Sequence, residues 1–192
     1  MESLNKQFKF NIPLKKSSDK DDFLEGIAST DGMDRDFERM SEAALYDMQR
    51  EIITKGVNLF GNHEHNWENT LGVIKEATLE GTKLKVGIQL DDPVHNPKIP
   101  LMLAKLARGI MLGLSVGGYV TKEKQEYNKE LGKKIKVIDG VKLYEISVVG
   151  VASNPDTFLS IPMQMAKCFG EKCPACYSKI TTNKCGVCLW SK

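Results

Sequence analysis

Two close histidines, a serine between glycines, a carboxylate inside an apolar run and four paired cysteines are the residues of this chain with chemical potential. "GNHEHNWE" (61–68) puts His63 and His65 on either side of Glu64, just after the apolar "VNLF". "GLSVG" (113–117) sets Ser115 between Gly113 and Gly117, and "LYEISVVG" (143–150) carries Glu145 and Ser147. An imidazole with an unperturbed pKa of about 6.5 can take and return a proton at neutral pH. A serine hydroxyl becomes a nucleophile when such a base accepts its proton, and a carboxylate can orient that base.

Three readings compete for the histidines. "GNHE" is similar to a short motif of metallophosphoesterases, but those sites need an early D-x-H and further histidines, and the remaining one here is His95. H-x-H can also open a zinc site, which normally takes three protein ligands when catalytic. In the third reading one histidine is the general base for a serine. Alternation from Val57 through Leu59 and Gly61 puts both His63 and His65 on one face, so periodicity does not choose between them.

"GLSVG" also fits the nucleophile elbow G-x-S-x-G, which needs a helix after the serine and a later histidine. "VGGYVTKE" is a poor helix start and no histidine follows His95, so that reading fails. As a strand, Ile110, Leu112, Leu114, Val116 and Val120 make a core stripe. Gly113, Ser115 and Gly117 then share the other face, cleared for a substrate backbone. Glu145 in its apolar strand is costly to bury unless paired, and a histidine is an economical partner. Ser147, two residues on, is a rival nucleophile without flanking glycines.

Cys173, Cys176, Cys185 and Cys188 follow C-x2-C-x8-C-x2-C. Two such knuckles close a tetrahedral thiolate site for structural zinc, and Cys168 is left over as a plain thiol. So short a segment has no core of its own and depends on the metal for folding. The five lysines against one glutamate from Lys167 to Lys192 point to nucleic acid. Four thiolates on zinc carry a net −2 that offsets part of this excess, so docking to a protein competes.

The elements that must position these residues are strand-rich. "QFKFNIPL" and "FLEGIAST" are strand candidates, "KKSSDKDD" a solvated loop and "DGMDRDF" a turn. "SEAALYDMQREIITKG" is a helix capped by Ser41, with Leu45, Met48 and Ile52 on one face and Gly56 as its stop. "VNLFGNHEH", "LGVIKEATLEG" and "KLKVGIQL" follow as strands, the last with Leu84, Val86, Ile88 and Leu90 on one face. "PKIPLMLAKLARG" is a second helix, and the charged "TKEKQEYNKELGKKIKVIDG" between two further strands is a hairpin or loop. Without regular βαβ alternation the expectation is a β-rich α+β domain or β-barrel over 1–160, with a separate zinc tail over 168–192.

The 192 residues carry a formal charge of +2, are 41% hydrophobic and 27% charged, and include no run long enough for a membrane-spanning helix. That balance excludes a strongly basic nucleic-acid binder as a whole. "MESLNKQFKF" lacks the apolar core of a secretory signal, so a reducing, cytoplasmic setting is expected.

In the order "NHEHNWENTLG", "GLSVGG" and "LYEISVVGVASNPD", the motifs resemble the prohead (capsid maturation) proteases of tailed bacteriophages, which share a β-barrel with herpesvirus assemblins. The resemblance runs from about Phe23 to Phe158. It implies an assemblin-like β-barrel with flanking helices and a serine endopeptidase with Ser115 as nucleophile and Glu145 as third triad member. His63 matches the "NH" followed by an acid, whereas the spacing to Gly72 matches His65 as the alternative base. Ser153 and Asn154 match the stretch whose backbone stabilises the oxyanion in assemblins. The resemblance also implies cleavage of phage scaffold or of capsid-protein arms, and of the protease itself, within the immature shell in the host cytoplasm. Homodimerisation is a further expectation, since confinement favours encounter. It says nothing about a zinc tail, and the rival reading of the residues is a non-catalytic β-domain whose zinc-ribbon tail binds nucleic acid or a protein partner.

Overall fold

The computed structural model describes residues 10–12, 14–16, 23–108, 110–151 and 153. The cysteine block and Asn154 lie outside them. The strands among the described residues are β1 (Phe10–Ile12), β2 (Leu14–Lys16), β3 (Phe23–Thr30), β4 (Glu38–Met40), β5 (Val57–Gly61), β6 (Thr70–Glu80), β7 (Lys83–Leu90), β8 (Gly113–Asn128) and β9 (Lys133–Val149). Two helices, α1 (Glu42–Lys55) and α2 (Lys98–Ala107), accompany them.

All nine strands form one sheet in the order β1-β8-β9-β5-β6-β7-β3-β2, with β4 added in parallel to the outer half of β9. β1 and β2 are one residue apart in sequence yet sit at opposite ends of this order. The sheet must therefore curl, and β3 and β8 come into contact across the half-barrel so formed. The single strand expected from "QFKFNIPL" is thus two short strands, one on each edge.

Local chemistry accounts for the elements beside the site. Ser41 Oγ accepts the Ala44 N–H at 3.3 Å, a cap that contributes about 1 kcal/mol. Gly56, at φ 72°, stops α1 in a backbone conformation that a side chain would strain. Leu45, Met48 and Ile52 are buried against the sheet and stabilise the domain by roughly 2 kcal/mol each. The alternation in β7 holds: Leu84, Val86, Ile88 and Leu90 are all buried. The charged stretch after Val120 is the end of a long hairpin, turned at Gly132 (φ 63°).

One end of the expected nucleophile strand is different. β8 starts at Gly113, and Ile110 is 47% exposed instead of belonging to the core stripe. The Ile110 N–H donates to Lys105 O at 3.0 Å, which keeps this residue in the exit turn of α2.

The turn before β4 carries a titrating group. Asp34 is buried and accepts N–H groups of Asp36 (2.9 Å) and Glu38 (2.8 Å). Burial pushes its carboxyl up from 3.8 to about 6, against the two hydrogen bonds. The folded chain then holds this proton more tightly than the unfolded chain, so stability falls as pH rises from 3.8 through about 6. Asp34→Asn keeps the acceptor oxygen and loses the charge. Thermal melts across that window are expected to show a flatter pH dependence in the variant; an unchanged profile would refute the assignment.

Candidate active site

β9 lies between β8, antiparallel to it, and β5, parallel to it. Ser147 on β9 is opposite Ser115 of β8 on one side and Phe60 of β5 on the other, while Glu145 is opposite Gly117. Three strands thus bring one serine, one carboxylate and the chain leaving β5 to the same place.

β5 ends at Gly61, so the alternation read through both histidines stops there. Asn62 and His63 adopt φ 53° and 60°, and the Glu64 N–H donates to Gly61 O at 3.1 Å. Two consecutive positive φ angles closed by this bond are the mark of a type I′ turn. Asparagine suits its first central position, whereas histidine in the second stores strain of about 1 kcal/mol or more. Two bonds to β9 hold the turn: Asn62 N–H to Val148 O at 2.8 Å, and His63 N–H to Ser147 Oγ at 3.1 Å.

The turn directs His63 between the other two groups. Its Nε2 is 2.9 Å from Ser115 Oγ and its Nδ1 is 2.5 Å from Glu145 Oε1. With the proton on Nδ1, the ring donates to the carboxylate and accepts from the serine. Ser147 Oγ donates to Glu145 Oε2 at 2.7 Å. Glu145 is 0% exposed, Ser115 1% and the His63 side chain 9%. Ser147, the rival nucleophile, is therefore a brace that joins the His63 backbone to the carboxylate. Sequence reasoning had no signal for that role beyond its position two residues from Glu145.

His65 is placed differently. Its Nε2 is 3.5 Å from Glu145 Oε1, and its ring meets Phe60 and Tyr144 edge-on at 5.5 and 5.4 Å. It touches the carboxylate from the solvent side, while His63 holds the position between carboxylate and serine.

Gly117 also has a different use from the expected one. A Cβ there would lie 2.2 Å from Glu145 Oε1, so the space it leaves is filled by the carboxylate and not kept for substrate. A register shift between Gly117 and Gly118 leaves Tyr144 without an opposite residue and 60% exposed. Such bulges re-aim neighbouring side chains. Along the other edge of β8, β1 sets Asn11 opposite Ser115.

Ser153 is half-buried, and its carbonyl accepts the Arg35 N–H at 3.0 Å, tying the stretch after β9 to the Asp34 turn. A cavity of about 240 Å³ opens next to the site. Asn62, Val148 and Val149 belong to its wall, Leu71, Leu101 and Met102 give it apolar character, and Lys98 and Lys105 bring positive charge.

A family model described as "Caudovirus prohead serine protease" matches residues 11–169. Among solved structures the chain is similar to the capsid assembly protease gp21 of bacteriophage T4, with a TM-score of 0.56 and 14% identity. That match covers 75% of this chain and 96% of the phage T4 chain, and at this identity it speaks for the fold. No curated protein matches significantly.

Proposed function

Because this chain belongs to the caudovirus prohead serine proteases, we propose that it is a serine endopeptidase of phage capsid maturation that uses Ser115, His63 and Glu145 as its triad. The observation that supports this reading is the continuous contact from Ser115 Oγ through the His63 ring to Glu145 Oε1.

Ser115 Oγ attacks the scissile carbonyl as His63 Nε2 takes its proton. Glu145 keeps the ring in the tautomer with its proton on Nδ1 and stabilises the imidazolium. His63 then returns the proton to the leaving amine, and a water repeats the sequence on the acyl-enzyme. Backbone N–H groups around Ser153 and Asn154 stabilise the oxyanion. The substrates are scaffold or arms of the capsid protein, and the chain itself, within the immature shell; the neighbouring phage T4 protein is named for capsid assembly. The burial of Ser115 requires a local opening before an extended substrate reaches it, which favours confined, tethered substrates over free ones.

The cysteines Cys173, Cys176, Cys185 and Cys188 form a separate structural zinc site that docks the protease to scaffold or shell. The spacing of the two C-x2-C pairs supports it.

The test is fluorophosphonate labelling of the full chain, alone and assembled with scaffold and capsid protein, read by peptide mapping and accompanied by metal analysis. The expected tag is on Ser115, with a far larger loss in His63→Ala than in His65→Ala, and Cys176→Ser is expected to carry one zinc fewer. A tag on Ser147, or none on Ser115 even after assembly, would overturn the triad; unchanged metal content in Cys176→Ser would overturn the zinc site.

A further inference from the structure

His65 is the one histidine of the H-x-H pair that the proposed hydrolysis does not use, yet it shares an oxygen with the triad. The donor atoms of His63, His65 and Glu145 all lie within 4.8 Å of one another. Glu145 Oε1 is 2.5 Å from His63 Nδ1 and 3.5 Å from His65 Nε2. In a tetrahedral zinc site with bonds of about 2.1 Å, donors stand roughly 3.4 Å apart, so small outward shifts of the three groups would seat an ion. From these contacts we propose that His63, His65 and Glu145 form an inhibitory site for a divalent transition-metal ion such as zinc.

Two imidazoles and one carboxylate are an ordinary ligand set for zinc, with the fourth position left to water. Charge favours the ion. Glu145 is fully buried, and among the described residues its ion-pair partners are these two histidines, with no lysine or arginine. The surrounding contacts are those a metal ligand needs. Ser147 holds Oε2 and leaves Oε1 to the ion, while Phe60 and Tyr144 fix the His65 ring. Entry is open, because the His65 side chain is 28% exposed.

The inhibitory consequence rests on the reading of His63 as the base; metal binding does not. An ion on Nδ1 uses the lone pair of that nitrogen. The ring's single proton moves through solvent from Nδ1 to Nε2, with no net proton gained or lost. Nε2–H then faces Ser115 and has no lone pair to accept the hydroxyl proton. The base is disabled without any covalent change, and loss of the ion restores it.

The test titrates cobalt(II) into the full chain, followed by visible absorption. Wild type is expected to bind an ion without a thiolate charge-transfer band, which distinguishes it from an ion at the cysteines. His65→Ala and Glu145→Gln are each expected to weaken that binding by about tenfold or more. In parallel, zinc is expected to slow Ser115 labelling by about tenfold in wild type, and far less in His65→Ala measured against its own metal-free rate. Absence of the thiolate-free ion, or its retention at full affinity by His65→Ala, would overturn the site. An ion that binds while labelling continues unchanged would overturn the inhibition. If wild type takes up the ion but Ser115 is never labelled, the protease reading fails and the metal site stands.

Discussion

Glu145→Gln is expected to lower Ser115 labelling and peptide cleavage by about 10³–10⁴-fold, while the chain remains folded. The carboxylate meets His63 Nδ1 at 2.5 Å and takes the Ser147 hydroxyl on its other oxygen. An amide has one acceptor oxygen for those two donors. If the oxygen faces His63, the NH₂ group must face Ser147, whose hydroxyl already accepts the His63 N–H. If the NH₂ group faces His63, the ring must carry its proton on Nε2, and the base is lost. In both arrangements the negative charge that stabilises the imidazolium is gone. Stability should change little, because a buried charge is replaced by a neutral group of the same shape. Labelling rates measured beside thermal melts separate the two effects. A variant within tenfold of wild type would sink the role given to Glu145.

Gly117→Ala is expected to cost about 10²-fold or more in the same assays, although residue 117 has no side chain to take part in the chemistry. The added Cβ would lie 2.2 Å from Glu145 Oε1 and 3.0 Å from Cδ. A flexible glutamate could swing away from such a contact at small cost. This one is held by His63 and Ser147, so avoiding the methyl breaks the bond that aligns the base. The fold should tolerate the change, since alanine is compatible with a strand and the clash involves one side chain. Activity close to wild type would mean that the carboxylate has a second position from which it still orients His63.

Much of the architecture was legible because it depends on local periods. The helix of α1 with its Ser41 cap and Gly56 stop, and the alternation of β7, follow from repeats of 3.6 and 2 residues that burial of one face enforces. The order of the three motifs along the chain was equally a property of the sequence, and the family match over residues 11–169 agrees with the resemblance they carry. Local periods misled in two ways. β1 and β2 separated because the two edges of one curled sheet claimed them, a long-range effect, whereas Ile110 stayed in the exit turn of α2 through a short-range bond to Lys105.

The sequence by itself determined the chemical inventory: one serine between glycines, a carboxylate that needs a partner, two candidate bases and a cysteine spacing suited to zinc. The tertiary structure decided how the first three meet. It put His63 rather than His65 between Ser115 and Glu145, because a turn at Asn62 and His63 breaks the alternation that made the two equivalent. It gave the space at Gly117 to the carboxylate and made Ser147 a brace. These outcomes depend on the register of β9 against β8 and β5, which sets Glu145 opposite Gly117 and Ser147 opposite both Ser115 and Phe60 across long stretches of sequence. A period along one strand specifies which face a residue occupies, but register and turn geometry specify which residue on the next strand it meets.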